Sequence, residues 1–367
     1  MTDEQEPVWL TDDEEEDLLL AEDDPPPVVY SGQDFDIVGL VRRINNEDML
    51  VPTFGHHDER IAVAGFQRAF VWTRPQMDRF IESLLLGYPI PGIFLVRQPD
   101  KRYLVLDGQQ RLRTLAYFYE GVYDGREFAL NNVGDRFRGL TYRALHGEQR
   151  RTLDNAFIQA TIVTIDNSYQ SLDSVYQIFE RLNSGGTKLT PHEIRVALYA
   201  GPFVDFLEEL NGLPGWRALY GRPSPRIRDQ ELILRIMAMY YDGNQYYRPL
   251  KSFLNAFTAA NRHKSSSEYA RFKDHFEEAC NLLNEGPGRN AVRPRSSQIN
   301  AALTEAVLVA MIKRLRHGFS LTSEEVTEAM QKVNKSRQMV SATSTSTASE
   351  ESVRSRLAIA ASLFRVD

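Results

Sequence analysis

The chain has 367 residues, 42% of them hydrophobic and 25% charged, which is long enough for two domains and usual for a folded globular protein. Its one cysteine, Cys280, excludes an internal disulfide, no apolar run nears the roughly 20 residues that cross a bilayer, and no basic-then-apolar secretory signal opens the chain. A cytoplasmic protein with no membrane partner is expected.

The net charge of −7 is unevenly spread: residues 1–24 hold twelve acids and no Lys or Arg, leaving 38 acids against 43 bases in the rest. Residues 1–27, ending in Pro25-Pro26-Pro27, read as an acidic, solvated, disordered tail. A second reading is a screen over the basic body, or a short docking motif using Trp9 and Leu18-Leu19-Leu20.

Residues 28–170 are expected to form an α/β domain. "FDIVGLVRRI" predicts a first helix, and a short strand is expected near Ile61–Ala64. Pro75 suits the first turn of a helix, "PQMDRFIESLLLG", with Gly87 placed to stop it. "YPIPGIFLVRQ" turns into a strand, "PDK" makes a tight turn into "RYLVLD", and a helix follows to Gly121. "FIQATIVTID" is one more strand. From 171 to 367 the pattern is helical: "SVYQIFERLN", "PHEIRVALYA", "PFVDFLEELN", "DQELILRIMAMYY" and "SSQINAALTEAVLVAMIKRLRHG" space apolar residues three to four apart. "SATSTSTASEES" reads as a polar spacer before a last helix. The fold class is α+β.

At Asp107-Gly108-Gln109-Gln110-Arg111 a strand passes into a helix. Asp107 is a favoured N-cap, and Gly108 permits a tight turn and close approach. The first helix amides, at Gln109, Gln110 and Arg111, lack internal partners and suit an anion. Arg111 adds a planar fork, and Arg113 could reach the same ligand or meet solvent. Leu112, Leu115, Ala116 and Tyr119 fit one buried stripe, with Arg113 and Thr114 off it. A phosphate site is one reading; a capped helix whose polar residues pin neighbouring loops is the other.

Two stretches add weight to the first. "FQRAFVW" supplies Gln67 and Arg68 among aromatic residues, with Trp72 read as a core anchor. "FERLNSGGTKLTPHEIR" has a turn rich in backbone amides, Asn183, Ser184, Gly185, Gly186 and Thr187, before a helix start with Thr190 as N-cap, Pro191 first and Glu193 third. It is either a second anion cradle or an ordinary helix–loop–helix joint.

The segments Phe66–Trp72, Gly87–Pro91, Asp107–Leu115 and Phe179–Leu189, in this order, resemble the N-terminal domain of GmrSD-type restriction proteins across residues 30–240. The resemblance implies a fold related to ParB and sulfiredoxin, in which Gly108-Gln109-Gln110-Arg111 and Gln67-Arg68 hold nucleotide phosphates. It departs from ParB at Gln109, which replaces an acidic residue; Asp107 could supply that charge. It further implies hydrolysis of a nucleoside triphosphate with Mg2+, coupled to restriction of modified or phage DNA. Asp107, Gln110 and Arg111 are then the candidate catalytic residues. No histidine sits in an HNH-type nuclease motif, so a partner nuclease in trans is expected, and His56-His57 beside Asp58 reads as a surface loop rather than a metal site. The rival readings are a sensor that binds nucleotide or modified DNA without turnover, and direct DNA binding through "RPSPRIR" (Arg222–Arg228) and "RNAVRPR" (Arg289–Arg295).

Overall fold

The computed structural model describes residues 28–51, 72–166, 168–182, 190–294 and 298–365. The strand expected near Ile61–Ala64 lies outside them, as does the acidic tail. The described residues divide into two compact units between 182 and 190, so the helix Tyr169–Leu182 groups with the strands rather than with the helices after the sequence boundary near 170.

The first unit is built on a mixed five-stranded sheet in the order β1 (Tyr30–Asp36), β7 (Phe157–Thr164), β3 (Ile93–Arg97), β4 (Tyr103–Asp107) and β2 (Met49–Leu50). β1–β7 and β3–β4 are antiparallel; β7–β3 and β4–β2 are parallel. A short hairpin, β5 (Val122–Tyr123) and β6 (Arg126–Glu127), stands apart. One sheet face carries Ile93, Leu95, Val105, Ile158, Ala160 and Ile162 into a core shared with α1 (Ile37–Asn45), α2 (Arg74–Leu85), α3 (Gln109–Glu120) and α4 (Gly147–Asn155). Alternation along the strands puts these residues on one side.

The helix start expected within "FDIVGLVRRI" is corrected. Tyr30–Asp36 is a strand, paired with β7 along its whole length, and the helix begins only at Ile37. α2 has a capping box, with Gln76 Oε1 accepting from the Thr73 amide at 2.8 Å, and Pro75 in its first turn. Buried Asp78 on α2 accepts from the amides of Asn131 and Asn132 at 3.2 and 3.0 Å, so the loop after β6 is pinned to this helix.

The second unit, among its described residues, is helical throughout, from α6 (Pro191–Leu198) to α15 (Glu350–Leu363), in keeping with the α+β expectation. Its centre is α9 (Arg228–Asp242) against α12 (Ala301–Arg316), each buried around nearly all its circumference. A buried ionic cluster ties three helices: Glu305 of α12 accepts from Arg235 of α9 at 3.1 Å and from Arg356 of α15 at 2.7 and 3.1 Å. Arg356 also donates to the Thr347 carbonyl, and Tyr246 donates to the Ala348 carbonyl at 2.6 Å. The "SATSTSTASEES" segment is therefore packed structure and not a spacer. Thr347 and Ala348 are buried, and the Thr343 hydroxyl is satisfied by the Met339 carbonyl at 2.8 Å. No helix among the described residues is long and apolar enough to cross a membrane.

Candidate functional site

The corner between β4 and α3 has a geometry that corrects one expectation. Gly108, not Asp107, is the N-cap, in a left-handed conformation with φ of +98°. A Cβ there would collide with Ile93 Cγ2 on the neighbouring strand, so only glycine fits. The register of β3 against β4 shifts between Phe94 and Leu95, next to this corner, and turns the strand end. Asp107 is thereby released from capping and pairs with Arg111, one helical turn on, at 2.8 Å.

Arg111 is held on two sides. Its Nη1 donates to the carbonyls of Pro91 and, at 3.0 Å, Gly92, while Nη2 meets Asp107. Its side chain is only 12% exposed, against 55% for Asp107. Burial lowers the Arg111 guanidinium from its ordinary value, and the Asp107 charge offsets part of that. The guanidinium thus locks the Tyr88–Gly92 loop to the corner, and the carboxylate remains open to solvent.

Each remaining corner residue has a distinct place. Gln110 Oε1 accepts from the Trp72 amide at 3.2 Å, which fastens the end of the "FQRAFVW" stretch to α3. Trp72 packs edge-on against Phe80 at 5.5 Å between centroids, which suits the core anchor expected of it. Gln109 is buried, with its amide turned back towards the Val105 carbonyl at 3.5 Å, so it contributes backbone rather than side chain at the surface. Arg113 is partly buried. Thr114, expected off the buried stripe, is fully buried and donates to the Gln110 carbonyl at 2.7 Å; the stripe runs through Leu112, Leu115 and Phe118, while Ala116 and Tyr119 are partly buried. The amides of Gln109, Gln110 and Arg111 have no intrahelical acceptors, because they occupy the first turn of α3. A helix start of this kind attracts an anion.

Gln67, Arg68, Asn183, Ser184, Gly185, Gly186 and Thr187 lie outside the described residues. The helix start after them is as expected: Thr190 is the N-cap, and its amide donates to Glu193 at 2.6 Å. Glu193 also takes a bidentate contact from Arg226, at 2.9 and 2.7 Å. Two further arginines of the basic stretches are likewise engaged within the fold. Arg289 and Arg293 both donate to the Tyr220 carbonyl, and Arg293 also reaches the Leu219 carbonyl at 2.9 Å. Spacing alone gives no sign of these pairings.

His192, one of the histidines outside any nuclease motif, is fully buried. Its Nε2 lies 3.0 Å from Gln230 Oε1, and its Nδ1 lies 3.3 Å from Arg195 Nη1. Arg195 can only donate, so Nδ1 accepts and the proton sits on Nε2. Burial, then the Arg195 charge, hold the imidazole well below its ordinary value. The unfolded chain binds this proton below about pH 6.5 while the folded chain does not, so stability is whole above that pH and falls beneath it. In His192→Gln this part of the slope should vanish, making the variant's deficit in thermal unfolding smaller at pH 5.5 than at pH 7.5. An equal deficit at both would rule out a neutral buried imidazole.

Among the described residues no cluster of three or more His, Cys, Asp or Glu could hold a metal alone. Sheet, corner and helical unit together define a mixed α+β protein with a strand–glycine–helix corner at one sheet end. Residues 52–200 match the family model for the GmrSD restriction endonuclease, N-terminal domain, so this region is similar to that domain. No curated protein and no solved structure matches the chain significantly.

Proposed function

We propose that the β4–α3 corner binds the phosphates of a nucleoside triphosphate, and that the chain is an NTP-hydrolysing regulator acting with a partner nuclease. The observation that carries this is the release of Asp107 from capping. It leaves a first helical turn of amides beside an exposed carboxylate oriented by Arg111. In this reading the amides of Gln109, Gln110 and Arg111 hold phosphate oxygens. Arg111 and Gln110 fix the loops on either side, and Gln67, Arg68, Arg113 and the Asn183–Thr187 turn complete the pocket. Mg2+ would arrive with the nucleotide, taking most of its ligands from phosphates and water and one from Asp107. Such a site works by positioning and charge stabilisation and needs no protein nucleophile. The sheet and its corner are read as ParB/sulfiredoxin-like, with DNA as the object of the complex and the cytoplasm as its compartment.

The second reading is a sensor that binds nucleotide or modified DNA without turnover. It is favoured by Gln109, an uncharged amide that lies buried against the Val105 carbonyl, so that Asp107 is the one acid of the Asp107–Arg111 corner. Phosphate release from each of the four NTPs with Mg2+, beside direct binding, separates the two. Release lost in Asp107→Asn, with binding retained, is the expected result. Binding without release identifies the sensor; neither one returns the corner to being a helix start that fixes loops. Arg111→Ala should lose both, because it frees the Tyr88–Gly92 loop, and Arg111→Lys should restore little, since an ammonium cannot span two carbonyls and a carboxylate in one plane.

A further inference from the structure

The basic stretches visible in the sequence spend Arg226, Arg289 and Arg293 inside the fold, yet cations and exposed rings meet elsewhere on the helical unit. The last turn of α12 carries Lys313, Arg314 and Arg316. Arg314 is occupied by the Phe364 and Ser320 carbonyls and by Glu325. Lys313 and Arg316 form no ion pair among the described residues, and Lys313 is lowered from its ordinary value by burial and by Arg316 beside it. Two crowded cations gain by meeting an anion.

Aromatic rings adjoin this pair. The Arg316 Cζ lies 6.0 Å from the centre of the Tyr240 ring. Tyr241 stands perpendicular to Tyr240 at 4.7 Å and rests on Phe257, Tyr269 and Phe272, yet remains 43% exposed. Phe319 follows Arg316 by three residues and is 52% exposed. Three residues span at most about 10 Å, which keeps Phe319 near the cations. Asp242 and Glu268 lie near Tyr269. Tyr241, backed by other rings yet part exposed, and exposed Phe319 lie near two cations that have no carboxylate partner among the described residues, though Arg316 also donates to the Tyr240 hydroxyl at 3.5 Å; such a combination matches bases and phosphates at the same time.

We propose that Tyr241, Phe319, Lys313 and Arg316 form a binding surface for single-stranded nucleic acid. Phosphates fit the cations, and unstacked bases fit the open ring faces; a duplex hides its base faces and offers only the charge. The surface lies beyond the family-matched region and does not depend on the nucleotide reading of the corner.

Fluorescence anisotropy of a labelled 20-nucleotide oligo-dT, titrated with the full chain at several salt concentrations, tests it, with a 20-base-pair duplex as comparison. Lys313→Gln/Arg316→Gln should weaken oligo-dT binding about tenfold or more and flatten the slope of log K against log salt by about 1.4. Phe319→Ala should weaken it about fivefold to tenfold at an unchanged slope, because stacking carries no counterion release. Phe319 is at the surface, so this variant should keep the wild-type melting temperature, and exposed Lys335→Gln should bind as wild type. No oligo-dT binding at 50 mM salt, a double variant that binds unchanged, or a duplex bound as tightly as the single strand would each overturn the proposal.

Discussion

Gly108→Ala is expected to destabilise the sheet unit by about 2–4 kcal/mol, combining left-handed strain with an overpacked contact on Ile93. The backbone conformation forbids the added Cβ from rotating away, and its neighbour sits on a central strand with no free space. Relief requires α3 to pull back from β3, which moves the Asp107–Arg111 pair and the loop carbonyls that Arg111 holds. Chemical denaturation should therefore show an early transition, and nucleotide binding at the corner should be lost even where the chain remains folded. A variant within about 0.5 kcal/mol of wild type, the usual range for surface changes, would mean that the close approach to Ile93 is relieved cheaply.

The second large effect belongs to Glu305→Gln. The carboxylate is wholly buried between Arg235 and Arg356, so its neutralisation removes the negative charge that both guanidinium groups share. Breaking a buried pair in this way costs about 3–5 kcal/mol. Because Arg356 anchors the Thr347 carbonyl, the loss should release α15 first, seen as early hydrogen exchange in residues 343–363. Arg356→Met is expected to be milder, since it leaves the Arg235–Glu305 pair in place and strands no charge. If both variants lose the same stability, the anchoring hydrogen bond outweighs the charge balance.

What the sequence disclosed depended on whether the cause was local. α2 and α3 were legible because their apolar spacing and stop glycines, and in α2 a first-turn proline, all act within one element. β1 was not: its residues, "YSGQDFD", bury only Phe35, and the strand exists because β7, more than a hundred residues later, pairs with it. The polar run before α15 read as a spacer because a buried threonine looks like an exposed one until its acceptor is known. At the corner, residue types were legible, but the division of labour was not. Asp107 had two candidate duties, and the shift in register beside Gly108 decided between them. The arginines of the two basic stretches illustrate the same limit, since charge is written in the sequence and its partner is not.

The full-length pairing of β1 with β7 also bears on how this chain can be divided. Residues 52–200 are the part recognisable by family, but a polypeptide cut at those limits would lack β1 and expose the edge of β7 along its length. At its other end it would retain His192 and Arg195 while discarding Gln230, Asn255 and Lys251, the groups that receive them. The stretch that the family match delimits is, for this chain, not a stretch whose strand and side-chain partners all lie within it. An expressible fragment has to begin before Tyr30, and any fragment that keeps α6 has to keep the helices that enclose it.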